Sequence, residues 1–195
     1  MRHKKLFNNT VMLYLLTFSN YLFNFITVPY QTRILGPEIY GNIGFASAFT
    51  IYITLILDFG FLLSATEEVS RNKDNPSILS SVFTSVTISK LILCFFTTII
   101  LGVLCSFIER FREDKMLFTL YYISAIAAAF LPDYLYRGLE QMRSITVRSV
   151  TIRFFFTIAI FIFLRRADQY YLIPFFNLCG NLGAVLASYF HVTKK

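Results

Sequence analysis

Apolar runs of about 20 residues recur along the whole 195-residue chain, and they constrain its fold more than any other feature. A helix of about 20 apolar residues is what crosses the roughly 30 Å of hydrocarbon in a bilayer. The hydrophobic fraction is 56%, whereas soluble domains usually hold about 45–50% apolar residues. The sequence therefore predicts an all-α integral membrane protein.

Six transmembrane helices are predicted, forming one lobe over residues 1–195, at residues 10–31, 39–64, 78–107, 116–136, 146–164 and 171–191. Basic residues are more numerous at the span ends on the side of the N-terminus than at the opposite ends. Since cytoplasmic loops carry the excess of Lys and Arg, both termini are predicted to be cytoplasmic. The first apolar run lacks a small-residue cleavage site, so it is predicted to be an uncleaved span.

The sequence also excludes several classes of protein. It contains no phosphate-binding, dinucleotide-binding, zinc-protease or nucleophile-elbow motif. Its three cysteines lie within predicted spans and its two histidines lie at opposite ends, which predicts no metal site. The net charge of +7 follows from the positive residues at span ends, and no basic patch with interleaved aromatics predicts a nucleic-acid partner. We expect no cofactor and no enzymatic activity.

The first predicted span carries a polar stripe. Spacings of three, four and seven residues place its members on one helical face: Thr10, Thr17, Asn20, Asn24, Thr27 and Gln31. In lipid, such a stripe must face other helices or a wet cavity. Hydrogen bonding between helices and the lining of a cavity are both open interpretations.

Two charged residues lie inside predicted spans. Asp58 is in the second span, and Lys90 lies about 20 Å into the third, too deep for its ammonium to reach the interface easily. Charges in a bilayer need a partner or water, so each is the candidate partner of the other. A purely structural ion pair and, for Asp58, a position at the membrane interface are the alternatives to a transport role.

The fourth span ends in the segment FLPDYLYRGLEQM. Pro132 is predicted to kink or loosen the helix and to free carbonyl groups near Asp133. Asp133 and Arg137 are four residues apart with the acid first, which favours a helical ion pair. In the fifth span, Arg153 either lines an internal cavity or extends its guanidinium to the interface.

Two segments carry a family resemblance. The run PYQTRILGPEIYG, followed by DFGF and SATEEVSR, resembles the opening of Wzx-type polysaccharide flippases. FLPDYLYRGLEQM matches a second family pattern at Pro132, Gly138, Glu140 and Met142. Tyr134 stands where the family usually has Trp, and Arg137 stands where it usually has Gln, so a role that needs a neutral amide there is in question.

The resemblance implies a function and site roles. It implies a lobe of a MATE-like transporter in the bacterial inner membrane, which flips an undecaprenyl-diphosphate-linked oligosaccharide by alternating access for O-antigen or capsule biosynthesis. The implied diphosphate ligands are Lys90, Arg153 and Arg137. Asn20 and Asn24 would line the sugar path, and Asp58 and Asp133 would be charge partners or ion-coupling acids. Membrane lipid and the polysaccharide polymerase machinery are further implied partners.

The length of the chain leaves three interpretations of this resemblance. The family has about twelve spans in two lobes, and the resemblance covers the N-terminal lobe only. The chain is then part of a longer protein, a half-transporter that pairs with itself or another chain, or a non-transporting membrane protein that binds assembly partners. A membrane glycosyltransferase or polymerase is the remaining alternative, and it usually needs a larger extramembrane loop.

Overall fold

The computed structural model describes the backbone of residues 2–192 and the side chains of residues 7–189. The basic residues used to predict the orientation of the two ends lie outside the described side chains: Arg2, Lys4, Lys5, Lys194 and Lys195. The elements are α1 (Arg2–Asp58), α2 (Phe61–Arg71), α3 (Pro76–Phe107), α4 (Glu109–Glu113), α5 (Lys115–Ala129), α6 (Asp133–Gly138), α7 (Met142–Phe163), a 3-10 helix (Ala167–Gln169) and α8 (Leu172–Val192).

Five helical stretches in the described part of the chain are long and apolar enough to cross a membrane. They are Phe7–Arg71, Pro76–Phe107, Lys115–Gly138, Met142–Phe163 and Ala167–Tyr189. The prediction of an all-α, multi-pass membrane protein is confirmed. The first stretch, at 65 residues, is far longer than the roughly 20 residues that one crossing needs.

The long helix α1 is broken at Gly36, whose backbone is not helical (φ 75°, ψ 167°). A positive φ is accessible to glycine at little cost, and Pro37 can start the next helix but cannot continue the previous one. The break divides α1 into an N-terminal arm (residues 2–35) and a C-terminal arm (residues 37–58). Leu35 and Ile43, from the two arms, are buried in the same apolar cluster.

Hydrogen bonds show that the N-terminal arm runs in the same direction as α7. Thr146, near the start of α7, donates to the carbonyl of Met12 at 3.0 Å. Tyr30 donates to the carbonyl of Leu164, just past the end of α7, at 2.9 Å. The two helices therefore lie side by side over most of their length.

The C-terminal arm runs opposite to α3. Its beginning meets the far end of the α3–α4 segment, where Arg110 donates to Asn42 at 2.7 Å. Its end meets the middle of α3, where Lys90 lies 3.5 Å from Asp58. With the opposite directions of α7 and α8, these contacts describe an up-and-down helical bundle, and the division into six crossings stays a prediction.

Helix α5 is the centre of this bundle. Half of the residues in the most apolar part of Lys115–Gly138, the stretch that contains α5, are buried, compared with 17–22% in the other candidate spans. Phe118 of α5 stacks on Phe111 with ring centroids 4.3 Å apart, and the rings of Phe45 and Phe49 pack edge-on against both. The remaining helices surround α5 and leave large apolar side chains on the outside, as expected where lipid is the solvent.

Two predicted spans differ from the structure. The second was predicted to run to residue 64, but its helix ends at Asp58, and Phe59 and Gly60 have φ values of 38° and 80° before α2 begins. The apolar run continues through this turn, so hydropathy conceals it. The fourth was predicted as one helix over 116–136, but α5 ends at Ala129 and α6 begins at Asp133. The predicted loosening at Pro132 is confirmed.

Gly138 allows α6 to pack closely against α2. A Cβ atom there would overlap the side chain of Val69 and lie 2.9 Å from the carbonyl oxygen of Thr66. We predict that Gly138→Ala destabilises the protein by about 1–3 kcal/mol, the usual cost of overpacking. Thermal unfolding of the detergent-purified protein measures this.

Gly102→Ala is the matched control, because a Cβ atom at Gly102 meets nothing within 4 Å. It should leave the melting temperature unchanged or raise it slightly, since alanine favours the helix. Equal melting temperatures for the two variants would contradict the close approach of α6 and α2.

Candidate functional site: a polar cavity inside the bundle

A cavity of about 670 Å³ lies between the two arms of α1, the α5–α6 break, α7 and α8. Its lining combines apolar side chains with many polar ones. The charged members are Asp133, Arg137, Arg148 and Arg153. The cavity therefore lies among the membrane-spanning helices and carries three cations and one anion.

The polar stripe of the N-terminal arm forms one wall. Asn20, Asn24, Thr27 and Gln31 all line the cavity, as the wet-cavity interpretation of the stripe requires. Thr27 and Gln31 are buried, at 5% and 7% exposure, and Asn24 is exposed. The hydroxyl of Thr27 donates a hydrogen bond to the carbonyl of Phe23 at 2.8 Å, so its donor is satisfied within its own helix.

Asp133 does not pair with Arg137, and that prediction is wrong. Its carboxylate accepts a hydrogen bond from Arg148 of α7 at 2.5 Å, and Arg148 also donates to the hydroxyl of Ser188 at 2.8 Å. The four-residue spacing favours a pair within one helix, but α6 has only six residues and packs its start against α7. The ion pair therefore connects two helices.

Arg137 and Arg153 are the cavity cations that remain without a partner. Neither guanidinium has a hydrogen bond or an ion pair with any described residue, and the Nε atom of Arg137 is fully buried. The charge of Arg148 is balanced by its ion pair with Asp133, so it contributes little free charge. The cavity thus offers about two uncompensated positive charges to a ligand.

The buried polar side-chain atoms that lack a hydrogen-bond partner all belong to residues that line this cavity. Among the described side chains there are three such atoms, on Asn20 (Oδ1), Arg137 (Nε) and Thr157 (Oγ1). All three residues line this cavity. Burying a polar atom without a hydrogen bond is costly, so water or a polar ligand is expected to meet them.

Lys90 and Asp58, by contrast, lie outside the cavity lining. Their predicted contact is confirmed, since the Lys90 ammonium lies 3.5 Å from the Asp58 carboxylate. The ammonium makes a shorter hydrogen bond, 2.6 Å, to the carbonyl of Ala129, and it lies 5.9 Å from the ring centre of Tyr134. Lys90 is 4% exposed, while the Asp58 side chain is 35% exposed.

Lys90 therefore donates a hydrogen bond to a carbonyl group that the helix break next to the cavity leaves free. The carbonyl of Ala129 has no backbone donor four residues on, because α5 ends there before Pro132. A cation at the C-terminal end of a helix also interacts favourably with the helix dipole. By holding this end of α5, Lys90 fixes the position from which α6 projects Asp133 and Arg137 into the cavity.

Sequence reasoning proposed Arg153 as a cavity residue but did not propose Arg148 or Thr157. Arg148 and Arg153 are five residues apart, which predicts partly different faces, yet both line the cavity because it extends along α7. Thr157, four residues after Arg153 and so on nearly the same face, was not proposed. The four-residue spacing of Arg153 and Thr157 could have predicted that Thr157 lies beside Arg153 in the cavity.

A polar, cation-lined cavity inside a bundle of membrane helices is typical of the class of membrane proteins that hold hydrophilic or anionic groups within lipid. Residues 6–195 match the model of the family described as polysaccharide biosynthesis protein, and the chain belongs to that family.

Two curated relatives fit this family. The chain is 28% identical over 176 residues to a protein named putative O-antigen transporter from Escherichia coli strain K12. The matched region is 90% of this chain and 42% of that protein. It is also 28% identical over 190 residues to a putative O-antigen transporter from Shigella dysenteriae, at 96% and 47% coverage. The chain spans less than half the length of these relatives, whose names describe transporters rather than enzymes. No solved structure matches it.

Because Lys90 and Arg153 have different surroundings, we predict that substituting Lys90 destabilises the protein and that substituting Arg153 does not. Lys90→Met leaves the buried Ala129 carbonyl without a donor, so we expect the free energy of unfolding to fall by about 1–3 kcal/mol, the usual cost of an unsatisfied buried acceptor. Arg153→Gln breaks no interaction and should leave the melting temperature nearly unchanged. Thermal unfolding in detergent measures both, and a Lys90→Met protein as stable as the parent would contradict the bracing role.

Proposed function

We propose that this chain forms half of a flippase that moves a lipid-diphosphate-linked oligosaccharide from the cytoplasmic to the periplasmic leaflet of the bacterial inner membrane. The observation that carries this proposal is the cavity itself. Two uncompensated arginines and the unpartnered buried oxygens of Asn20 and Thr157 line one space inside a membrane-embedded bundle. A ligand with a negative and a hydroxyl-rich part complements both groups.

The proposed ligands of the diphosphate are Arg137 and Arg153. Guanidinium groups bind phosphate through paired, charge-assisted hydrogen bonds, and neither group needs to give up a protein partner. Arg148 is less suited, because Asp133 already balances its charge and two of its N–H groups donate to Asp133 and Ser188. We assign Asp133 the role of holding Arg148, and through it the wall of the cavity.

The proposed path of the sugars follows the N-terminal arm. Asn20, Asn24 and Gln31 present side-chain amides along one face, and each amide can both donate and accept hydrogen bonds. Sugar hydroxyls do the same, so such a stripe binds different sugars through similar contacts. This wall therefore favours passage of a sugar chain over recognition of one sugar.

In this proposal, Lys90 and Asp58 do not bind the substrate directly. The position of Lys90 beneath the α5–α6 break favours bracing of the cavity over contact with the diphosphate. Asp58 is the candidate ion-coupling acid, because its carboxylate is partly open while its partner Lys90 is buried. Asp58→Asn would remove this coupling while leaving the hydrogen bond from Lys90 to Ala129 in place.

Transport by alternating access needs a second lobe, which we propose comes from a longer form of this chain or from a second chain. The two lobes would rock around a site near the bilayer midplane. The orientation with a cytoplasmic N-terminus places Arg71, Lys73 and Arg143 on the cytoplasmic side, in agreement with the positive-inside rule. Polymerase machinery would take up the product on the other side.

Binding of the diphosphate can be tested apart from transport. The chain is reconstituted in lipid nanodiscs and titrated with a fluorescent undecaprenyl-diphosphate disaccharide. We predict that Arg153→Gln and Arg137→Gln each weaken binding roughly 10- to 100-fold, the usual effect of a lost charge-assisted hydrogen bond. Arg112→Gln, at an exposed position of α4 at the opposite end of the bundle, is the matched control and should bind normally.

Transport itself is tested by complementation. The 195-residue chain is expressed in cells that lack their own flippase, its insertion is checked by immunoblot, and surface polysaccharide is scored. Restored polysaccharide that Arg153→Gln abolishes supports a half-transporter that pairs with itself. An inserted chain that binds the diphosphate without restoring polysaccharide supports a lobe that needs its other half. An inserted chain with neither property overturns the proposal in favour of a protein that only binds assembly partners.

A further inference from the structure

A second depression, of about 590 Å³, lies on the seam between α7 and α8. It is bounded by Val147 and Thr151 of α7 and by Gly183 and Ala187 of α8. All four residues are exposed, so this groove opens on the outside of the bundle. The small size of Gly183 and Ala187, one turn apart, leaves the space between the helices unfilled.

The accessible surface of the groove is mostly apolar, and an exposed cation, Arg143, lies at one end. From Thr151 back to Arg143 it extends for about 12 Å, at 1.5 Å per residue of helix. Arg143 and Ser144 form the end nearest the start of α7, the same end at which Thr146 meets Met12. A ligand that fits this surface is an amphiphile with an anionic head at Arg143 and an apolar chain along α7.

The charge of the groove selects among such amphiphiles. Arg148, which also lines it, is neutralised by Asp133, whereas exposed Arg143 has no hydrogen bond or ion pair with any described residue. One unpaired guanidinium matches the single charge of a phosphodiester. A diphosphate carries more negative charge than this one cation can balance.

We propose that the α7–α8 groove holds one anionic phospholipid, with its phosphate at Arg143 and an acyl chain between Val147 and Ala187. In the orientation proposed above for the chain, this lipid belongs to the cytoplasmic leaflet. Basic pockets at the cytoplasmic ends of membrane helices bind such head groups. The groove and the polar cavity share Arg148, Ile152 and Ala184, so the lipid lies behind the wall of the cavity. This site exists whether or not the chain transports an oligosaccharide.

The test uses the absence of tryptophan from the sequence. Val147→Trp introduces a single tryptophan into the groove, and the protein is reconstituted with phospholipids brominated on their acyl chains. We expect brominated phosphatidylglycerol to quench this tryptophan more strongly than brominated phosphatidylcholine does. The difference should correspond to a roughly five-fold enrichment of phosphatidylglycerol at the groove, the preference that one nearby cation provides. Adding Arg143→Gln should remove the difference between the two lipids. Thr151→Trp, one turn along, repeats the measurement if Val147→Trp does not fold.

Two controls make the result specific. Ile99→Trp on the exposed surface of α3 should be quenched equally by both lipids. Arg112→Gln should leave the selectivity at Val147→Trp unchanged. The proposal is overturned if both lipids quench the Val147→Trp protein equally. It is also overturned if neither lipid quenches it because another helix covers the groove, or if undecaprenyl diphosphate displaces phosphatidylglycerol.

Discussion

The hydrogen bond from Lys90 to the carbonyl of Ala129 is the interaction on which the rest of the structure depends. In hydrocarbon no water can satisfy a free carbonyl, so a broken helix must find an internal donor. Lys90 supplies that donor, and its buried charge lies near Asp58 at the end of the C-terminal arm. One side chain thereby joins α3, α5 and α1 at the point where the chain departs from regular helix.

The polar cavity is a consequence of this break. Because α5 stops at Ala129, α6 can start in a new direction and place Asp133 and Arg137 next to α7. Asp133 then engages Arg148, which leaves Arg137 and Arg153 uncompensated. A bundle that paired every arginine would be a poor site for an anion, whereas this one keeps two cations available inside the membrane.

Much of the local structure was predictable from the sequence. The positions of the membrane helices follow from hydropathy, the turn at Gly36-Pro37 from backbone chemistry, and the polar face of the first span from its spacing. The end of the C-terminal arm at Asp58 was not predictable in this way, because the apolar run continues through Phe59 and Gly60. The partner of Asp133 was also not predictable, since a local pair with Arg137 satisfies the spacing rule equally well.

The sequence by itself determined that the chain is helical, that it belongs in a membrane and that its polar side chains lie on particular helix faces. These properties depend on residues close together along the chain and on the length of apolar runs. Only the tertiary structure decided which charges neutralise one another and which remain free for a ligand. Lys90 and Arg153 are both cations within predicted spans, yet one braces a helix end and the other faces an open cavity. That difference depends on contacts between residues far apart in sequence, because Coulomb energy and desolvation depend on the spatial neighbours of a charge.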